Sequence, residues 1–185
     1  MSGALLSVVP VVYNNKLGPY LAGLIEGDGT IIVPTADKTT KGNNNYGYIQ
    51  ICFSAKDLPL AQYLQTLLGG HISLRTNSCT LTFKSRDNVI RVINLINGHM
   101  RTPKIEALHR LINWFNQKHN TLITPFGLDN TPLQDNSWLS GFFDADAGFY
   151  FNWNLSKKTG LPIRMAYNLR ISLLRAGKNT IEIAL

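Results

Sequence analysis

The order of apolar and polar positions along the chain predicts the same succession of elements twice. Residues 17–27 form an apolar run of helical length, and the β-rich segment 29–34 that follows predicts a strand. The polar loop "TADKTTKGNNN" separates this strand from a second predicted strand at residues 46–54. Helix, strand, polar loop and strand then return in "WLSGFFDADAGFYFNWNLSKKTGLPIRMAYNLRISLL". The chain therefore contains an internal duplication.

The first copy continues with four further predicted elements. Apolar residues at helical spacing, with Asp57 as the N-cap and two glycines as a stop, predict a helix over residues 57–68. The alternating segments "HISLR" and "CTLTF" predict a pair of strands around "TNS", and residues 87–95 predict another helix. The segment "TPKIEALHRLINWFNQKH" predicts a longer helix with Thr102 as the N-cap and Pro103 in its first turn.

These elements indicate an α+β fold with a pseudo-two-fold duplication. We assign the first half to residues 13–119, a linker with turn-forming residues to 120–136, and the second half to 137–185. When the two copies are matched strand for strand, the chain ends where the counterpart of the 57–68 helix would begin. The second strand pair and the two later helices also have no counterpart, so we expect the second half to be incomplete.

Small residues lie on one face of each motif helix. Gly23 and Gly27 are four positions apart, and Gly141 and Ala145 hold the equivalent positions in the second copy. An interior glycine costs roughly 0.5–1 kcal/mol relative to alanine, so its repetition calls for a reason. Two ordinary core helices could carry these residues by chance, but the repeat favours close packing of one helix against the other.

Each motif helix also ends in two acidic residues, where the helix dipole disfavours carboxylates. If the helices pack in parallel, Asp28 and Asp146 converge, and their like charges repel. A divalent cation such as Mg²⁺ would reverse this repulsion and act on a nearby phosphodiester. Glu26 and Asp144 lie two residues earlier, on the nearly opposite side of each helix, and we expect a structural role for them.

The charge of the chain narrows the class of partner. There are 18 Lys and Arg residues against 11 acids, and the formal net charge is +7. This balance is typical of proteins that bind nucleic acid or an anionic membrane, although a solvated basic surface would also produce it. No basic amphipathic helix stands out, so a membrane partner is disfavoured. The candidate DNA contacts are basic residues that we expect to alternate along the strands among polar residues: Lys38, Lys41, Lys56, Arg75, Lys84, Arg86, Lys157, Lys158, Arg164 and Arg170.

The segments "PYLAGLIEGDGTI", "NGHMRTPKIEALHRLINWFN" and "SWLSGFFDADAGF" resemble the LAGLIDADG homing endonucleases, in the two-motif, single-chain form encoded in fungal mitochondrial introns. The resemblance covers about residues 17–174. It implies two αββαββα halves with the motif helices at their interface, and antiparallel sheets that bind double-stranded DNA. It also implies site-specific double-strand cleavage with Mg²⁺ or another divalent cation, which spreads the host intron.

The family's metal-binding acid stands at the eighth motif position, which is Asp28 in the first copy and Asp146 in the second. The family often has a basic residue near the site that helps to stabilise the transition state, and Lys104 is our candidate for it. The resemblance further implies a mitochondrial, organelle-encoded protein, which we expect to be a monomer.

Two other functions use the same scaffold, namely an RNA-binding intron maturase and an inactive remnant. The ninth motif position is Ala147 where the family usually has glycine, with Gly148 after it, so we expect the helix exit to shift by one residue. Because the second half lacks covering helices, we expect part of the apolar face of "GFYFNWNL" to be exposed. A poorly stable or weakly active purified chain is the expected consequence.

Overall fold

The computed structural model describes residues 15–36, 38, 40–171, 173–174 and 180–181. The predicted outer ends of the two halves, residues 13–14 and 182–185, lie outside the described residues. In the residues of the first half that the structure describes, there are four α-helices and four strands, in the order α1 (Leu17–Asp28), β1 (Gly29–Ile32), β2 (Tyr48–Ser54), α2 (Leu58–Leu68), β3 (His71–Leu74), β4 (Ser78–Phe83), α3 (Arg86–Ile96) and α4 (Ile105–His119). This order agrees with the predicted elements.

The first half is organised around an antiparallel sheet with the strand order β1-β2-β4-β3. Every second residue of β2 and β4 is buried, as expected for a sheet with one covered face. Helices α2 and α4 pack on that sheet with their apolar stripes, and α3 packs against α1 and α2. The resulting core contains Ile49, Ile51, Phe53, Leu64, Leu81, Phe83, Ile93, Leu111 and Phe115.

The helix starts show where tertiary contacts outweigh local signals. Asp57 does precede α2, but it lies in a 3-10 turn and its side chain makes no capping hydrogen bond. The predicted cap at Thr102 is wrong, because α4 begins at Ile105 with Lys104 before it. The Thr102 hydroxyl accepts from the Lys104 amide at 3.3 Å and donates to Glu26 at 2.6 Å. Thr102 therefore closes the turn before α4 and fastens that turn to α1.

The second half repeats the start of the first. It contains α5 (Trp138–Asp146), the antiparallel strands β5 (Ala147–Leu155) and β6 (Pro162–Ile171), and a short antiparallel pair, β7 (Leu173–Leu174) and β8 (Thr180–Ile181). Helix α5 passes directly into β5, as α1 passes into β1, so the expected one-residue shift of the helix exit is wrong. Among the described residues after β6 there is no helix, and α2, α3 and α4 have no counterpart there.

The hairpin of β5 and β6 therefore exposes apolar side chains at its tip. Trp153 and Leu155 are both 56% exposed, which confirms the expectation for this part of "GFYFNWNL". Met165 pairs with Trp153 across the hairpin and is 48% exposed, and Ile163 is 71% exposed. In the first half β1 ends at Ile32 and β2 begins at Tyr48, so the second hairpin extends its sheet further from the motif helices than the first does. Residues 120–136 connect the halves without a helix or strand.

Candidate functional site

The two motif helices pack against each other so closely that side chains are excluded at their crossing. A Cβ atom on Gly23 would overlap the carbonyl oxygen of Trp138, and one on Gly141 would overlap the carbonyl oxygen of Tyr20. Tyr20 and Trp138 hold equivalent positions in the two copies. Further along, a Cβ on Gly27 would overlap the side chain of Ala145. The pseudo-two-fold axis therefore runs between the helices, with the small residues facing it.

The first acid of each motif binds the opposite helix. The Trp138 indole Nε1 donates to Glu26 Oε2 at 2.5 Å, and the Tyr20 hydroxyl donates to Asp144 Oδ2 at 2.7 Å. These two hydrogen bonds are equivalent under the duplication. Burial and the hydrogen bond to Asp144 raise the pKa of the Tyr20 phenol, so it remains a donor at neutral pH. Glu26 and Asp144 thus hold the helix pair together.

Glu26 also connects the helix pair to the turn before α4. Its carboxylate is buried, with 6% of the residue exposed. It accepts from the backbone amides of Arg101 at 3.0 Å and Thr102 at 2.6 Å, in addition to the Thr102 hydroxyl and the indole of Trp138. A buried carboxylate is tolerated when its oxygens are satisfied in this way. Glu26 therefore joins three separate segments of the chain.

Arg101 extends this network to the linker. Its guanidinium forms an ion pair with Asp129 at 2.9 Å, donates to Thr131 and lies 5.7 Å from the centroid of the Trp138 ring. Burial acts to raise the pKa of Asp129, but hydrogen bonds from Thr131 and Asn136 and the charge of Arg101 outweigh it and lower that pKa. The linker is consequently fixed to the junction between the halves.

Asp28 and Asp146 end the two paired helices on the same side of the molecule. Both residues are exposed, and the Cβ of Asp146 would lie 3.5 Å from a Cβ built on Gly27. Partial burial and the negative charge of Asp146 raise the pKa of the Asp28 carboxyl, while Lys104 acts in the opposite direction. The structure thus brings together two carboxylates that repel each other, a donor pair that suits a hard divalent cation. Among the described residues, no group of three or more His, Cys, Asp or Glu side chains is arranged to hold a metal ion.

Lys104 lies beside this site, but its hydrogen bonds go to the backbone. Its Nζ donates to the carbonyl oxygens of Ile25 at 2.9 Å, Glu26 at 2.8 Å and Gly29 at 2.8 Å. The Ile25 carbonyl also accepts from the Gly29 amide at the end of α1, and an ammonium group has three protons to donate to such carbonyls. Burial lowers the pKa of Lys104, although Glu26, Asp28 and Asp146 act to raise it. Lys104 therefore fixes the backbone that carries Asp28.

The six basic candidates of the first half do not alternate along strands, so that expectation is wrong. All six are exposed and lie in connections: Lys38 and Lys41 between β1 and β2, Lys56 after β2, Arg75 between β3 and β4, and Lys84 and Arg86 around the start of α3. In the second half, Lys157 and Lys158 lie in the hairpin turn, whereas Arg164 and Arg170 are on β6. These six basic residues of the first half therefore lie around the sheet and not on its strands.

The uncovered face of the first-half sheet is instead neutral and polar. Gln50 pairs with Thr30 on one side and Thr82 on the other, and Cys52 pairs with Thr80. Selection by charge missed these residues. Strict alternation in "YIQICFS" and "SCTLTF" could have identified them, because each residue between two buried ones points to the opposite face.

Duplicated halves that are joined through paired acidic helices, each followed by an antiparallel sheet, define the homing-endonuclease class of fold. A family described as LAGLIDADG endonuclease matches residues 21–125, more than half of the chain, and the chain belongs to this family. The fold is similar to that of the meganuclease I-CpaMI bound to uncleaved DNA, with a TM-score of 0.60 and 19% identity over 87% of this chain and 70% of that one. It is also similar to that of I-GzeII in complex with its DNA target, with a TM-score of 0.59 and 14% identity over 84% of this chain and 66% of that one.

Two curated relatives come from Saccharomyces cerevisiae. The chain is 39% identical over 155 residues to the intron-encoded DNA endonuclease aI3, covering 75% of this chain and 37% of that protein. It is 30% identical over 154 residues to the intron-encoded RNA maturase bI4, covering 81% of this chain and 22% of that protein. The chain thus spans less than half the length of these relatives. No helix in the described part of the chain is long and apolar enough to cross a membrane.

Proposed function

We propose that this chain is the core of an intron-encoded, site-specific endonuclease that cleaves both strands of a DNA duplex and thereby promotes intron mobility. One observation carries the proposal. Two paired helices bring Asp28 and Asp146 together at their C-terminal ends, where helix dipoles and mutual repulsion both disfavour carboxylates. This arrangement lowers the stability of the fold. Residues that lower stability in this way tend to lie at functional sites.

In this proposal Asp28 and Asp146 hold Mg²⁺ or another divalent cation. The cation would neutralise charge at the scissile phosphate and increase the reactivity of a nearby water molecule. With two carboxylates from the protein, the remaining ligands come from DNA phosphate and water, as is usual for Mg²⁺. The exposure of both aspartates leaves room for a phosphate.

Lys104 contributes in this proposal as a positioning residue for catalysis. Its three hydrogen bonds to the end of α1 fix the backbone on both sides of Asp28. Its positive charge also opposes the repulsion between the two aspartates. We expect Lys104 to act on the transition state through this charge and through the geometry of Asp28.

The DNA surface combines the neutral sheet face with the basic residues around it. Gln, Thr and Cys side chains on the sheet face can contact base edges in the major groove, while the surrounding lysines and arginines neutralise phosphates. The proposed division of the chain remains 13–119, 120–136 and 137–185. We further propose a monomeric protein of the mitochondrion, because the relatives are intron-encoded fungal proteins.

The test is cleavage of a plasmid that carries the intron-lacking form of the host gene, with Mg²⁺ and with EDTA. We expect the plasmid to be linearised only with Mg²⁺, and Asp28→Asn and Asp146→Asn each to abolish cleavage while retaining DNA binding. Asp135→Asn, which removes an exposed acid of the linker, is the matched control and should cleave like the wild type. Undiminished cleavage by Asp28→Asn would overturn the proposal.

An RNA-binding maturase is the second candidate, favoured by the 30% identity to the RNA maturase bI4. This function would use the basic surface without the chemistry of the two aspartates. Splicing of the host intron by Asp28→Asn at the wild-type rate, together with no DNA cleavage by the wild type, would favour the maturase. Loss of both activities in Asp28→Asn would argue against it.

A further inference from the structure

A cavity of about 370 Å³ lies at the end of the first-half sheet that is remote from the two aspartates. It is bounded by the C-terminal part of α4, the connection from β4 to α3 and the residues before β2. Its chemistry comes from two cations and four rings: Lys84, Arg86, Tyr46, Trp114, Phe115 and His119. None of the described residues that line it is acidic. The metal site and the neutral sheet face do not account for this cavity.

The rings on α4 form one packed group. The centroid of Trp114 lies 5.1 Å from that of Phe115 and 5.5 Å from that of His119, both with an angle of 70° between the ring planes. Phe115 is buried, whereas Trp114 and His119 are partly exposed at the cavity. Phe115 thus anchors the group in the core and leaves the other two rings accessible.

Gly47 makes the approach of this group to the sheet possible. A Cβ on Gly47 would lie 2.6 Å from the Leu111 Cδ1 and 3.3 Å from the Trp114 Cε3. Any side chain at residue 47 would therefore displace the helix or fill the space beside the tryptophan. The absence of a side chain allows Trp114 to lie against the backbone before β2 and to form a wall of the cavity.

The two cationic side chains line the other wall of the cavity. Lys84 and Arg86 are exposed and flank Ser85, whose hydroxyl accepts from the Asn88 amide at 3.3 Å and so caps α3. This cap fixes the connection that carries both cations. Positive charge beside accessible aromatic rings is the combination that binds nucleotides of single strands, because every base can stack and every phosphate is anionic.

We propose that this cavity binds an unpaired nucleotide of a single-stranded nucleic acid, with the base packed against both the Trp114 and the His119 ring and the phosphates neutralised by Lys84 and Arg86. The volume lies in the range of cavities that hold small ligands. A base within a duplex is stacked on its neighbours and unavailable to these rings, so the ligand is a single strand. This site needs no metal. Lys84 and Arg86 also belong to the proposed duplex surface, so the variants of the rings separate single-strand binding from duplex binding.

The first experiment measures the affinity of labelled 12-nucleotide RNA and DNA single strands by fluorescence anisotropy in EDTA. The variant Lys84→Glu/Arg86→Glu is compared with Arg91→Glu/Arg110→Glu, which makes the same change in net charge at exposed positions of α3 and α4 outside the cavity. We expect the cavity variant to bind about tenfold more weakly than the control variant. Its slope of log K against log salt should be smaller by about 1.4, as expected for two lost phosphate contacts to a single strand.

The second experiment tests the rings. His119→Ala should weaken single-strand binding by about fivefold or more, the lower end expected for loss of base stacking. Tyr63→Ala removes an exposed ring of α2 and is the control. Trp114→Phe keeps a smaller ring and should give an intermediate loss, with the melting temperature confirming that the variants fold.

Equal effects of the two charge reversals, or no effect of His119→Ala, would overturn the proposal. Equal weakening of single strands and of a blunt duplex by His119→Ala would also overturn it, because stacking on the ring requires an unpaired base. When these tests support the site, the single strand that binds with the higher affinity, RNA or DNA, identifies the source of the nucleotide.

Discussion

The indole nitrogen of Trp138, the first residue of α5, donates a hydrogen bond of 2.5 Å to the buried carboxylate of Glu26 on α1. Its pseudo-symmetric counterpart joins Tyr20 to Asp144 at 2.7 Å. The interface between the halves is thus held by polar contacts between equivalent positions, in addition to the packing of small residues. The catalytic proposal depends on this interface, because the same helices carry Asp28 and Asp146.

Glu26→Gln should lower the free energy of unfolding by about 3 kcal/mol, the magnitude expected when a buried, hydrogen-bonded carboxylate is lost. Oε1 accepts from the Thr102 amide and hydroxyl and Oε2 accepts from the Trp138 indole, so the nitrogen of glutamine leaves at least one of these donors without an acceptor. Urea denaturation measures the change. Asp144→Asn, at an exposed position, should have a much smaller effect. Equal effects would show that burial of Glu26 is unimportant.

Gly141→Ala should destabilise the protein by about 1–3 kcal/mol, the usual range for overpacking. The new methyl group would overlap the Tyr20 carbonyl and force the helices apart. Gly127→Ala is the control, because a Cβ there meets no atom within 4 Å. Thermal unfolding should show a lower melting temperature for Gly141→Ala alone. If the two variants have the same melting temperature, the helices are not in close contact.

Lys104→Met should abolish DNA cleavage and lower stability, because the carbonyl oxygens of Ile25, Glu26 and Gly29 each lose the hydrogen bond from the ammonium group. Lys104→Arg is the variant to compare with it. It keeps the charge but cannot reproduce three bonds from one nitrogen, so it should restore only part of the cleavage rate. Cleavage kinetics and melting temperature measure the two effects separately. Full cleavage by Lys104→Met would exclude a positioning role.

Asp28→Asn should stabilise the metal-free protein at neutral pH, since it removes a partly buried charge and its repulsion with Asp146. The folded-state pKa of Asp28 lies above its ordinary value, so the folded state binds the proton more tightly than the unfolded state does. Stability from this group is therefore lost as the pH rises from the ordinary aspartate pKa through the folded-state pKa. The gain in melting temperature from Asp28→Asn should appear over this window and disappear at lower pH. If the gain in melting temperature does not depend on pH, it does not come from the ionisation of Asp28.

Leu155→Lys/Ile163→Lys should increase the soluble fraction of the purified chain, because the two substitutions replace exposed apolar side chains of the second hairpin with charged ones. The melting temperature should stay within the error of the wild type. Asn130→Lys/Gln134→Lys makes the same change in charge at two exposed polar positions of the linker and is the control. Equal gains in solubility would assign the effect to charge alone. Light scattering at increasing protein concentration measures the difference.

Much of the first half was predictable from the sequence, because its helices and strands have clear periodicity. The helix caps were less predictable: Thr102 carries a good local capping signal, yet it bonds Glu26, which is 76 positions away. The polar sheet face was missed for a different reason. Gln50 and Thr82 carry no charge, and only their alternation with buried residues distinguishes them from other polar residues.

The duplication, the family and the acids at the two helix ends follow from the sequence by itself, because all are encoded in short, contiguous segments whose spacing survives without any three-dimensional information. The tertiary structure decided what each polar group does. It assigned the bonds of Lys104 to the end of α1, the carboxylate of Glu26 to the junction of both halves, and Lys84 and Arg86 to the wall of a cavity. These assignments depend on contacts between residues far apart in the chain, and side-chain direction at such contacts is set by packing rather than by local sequence.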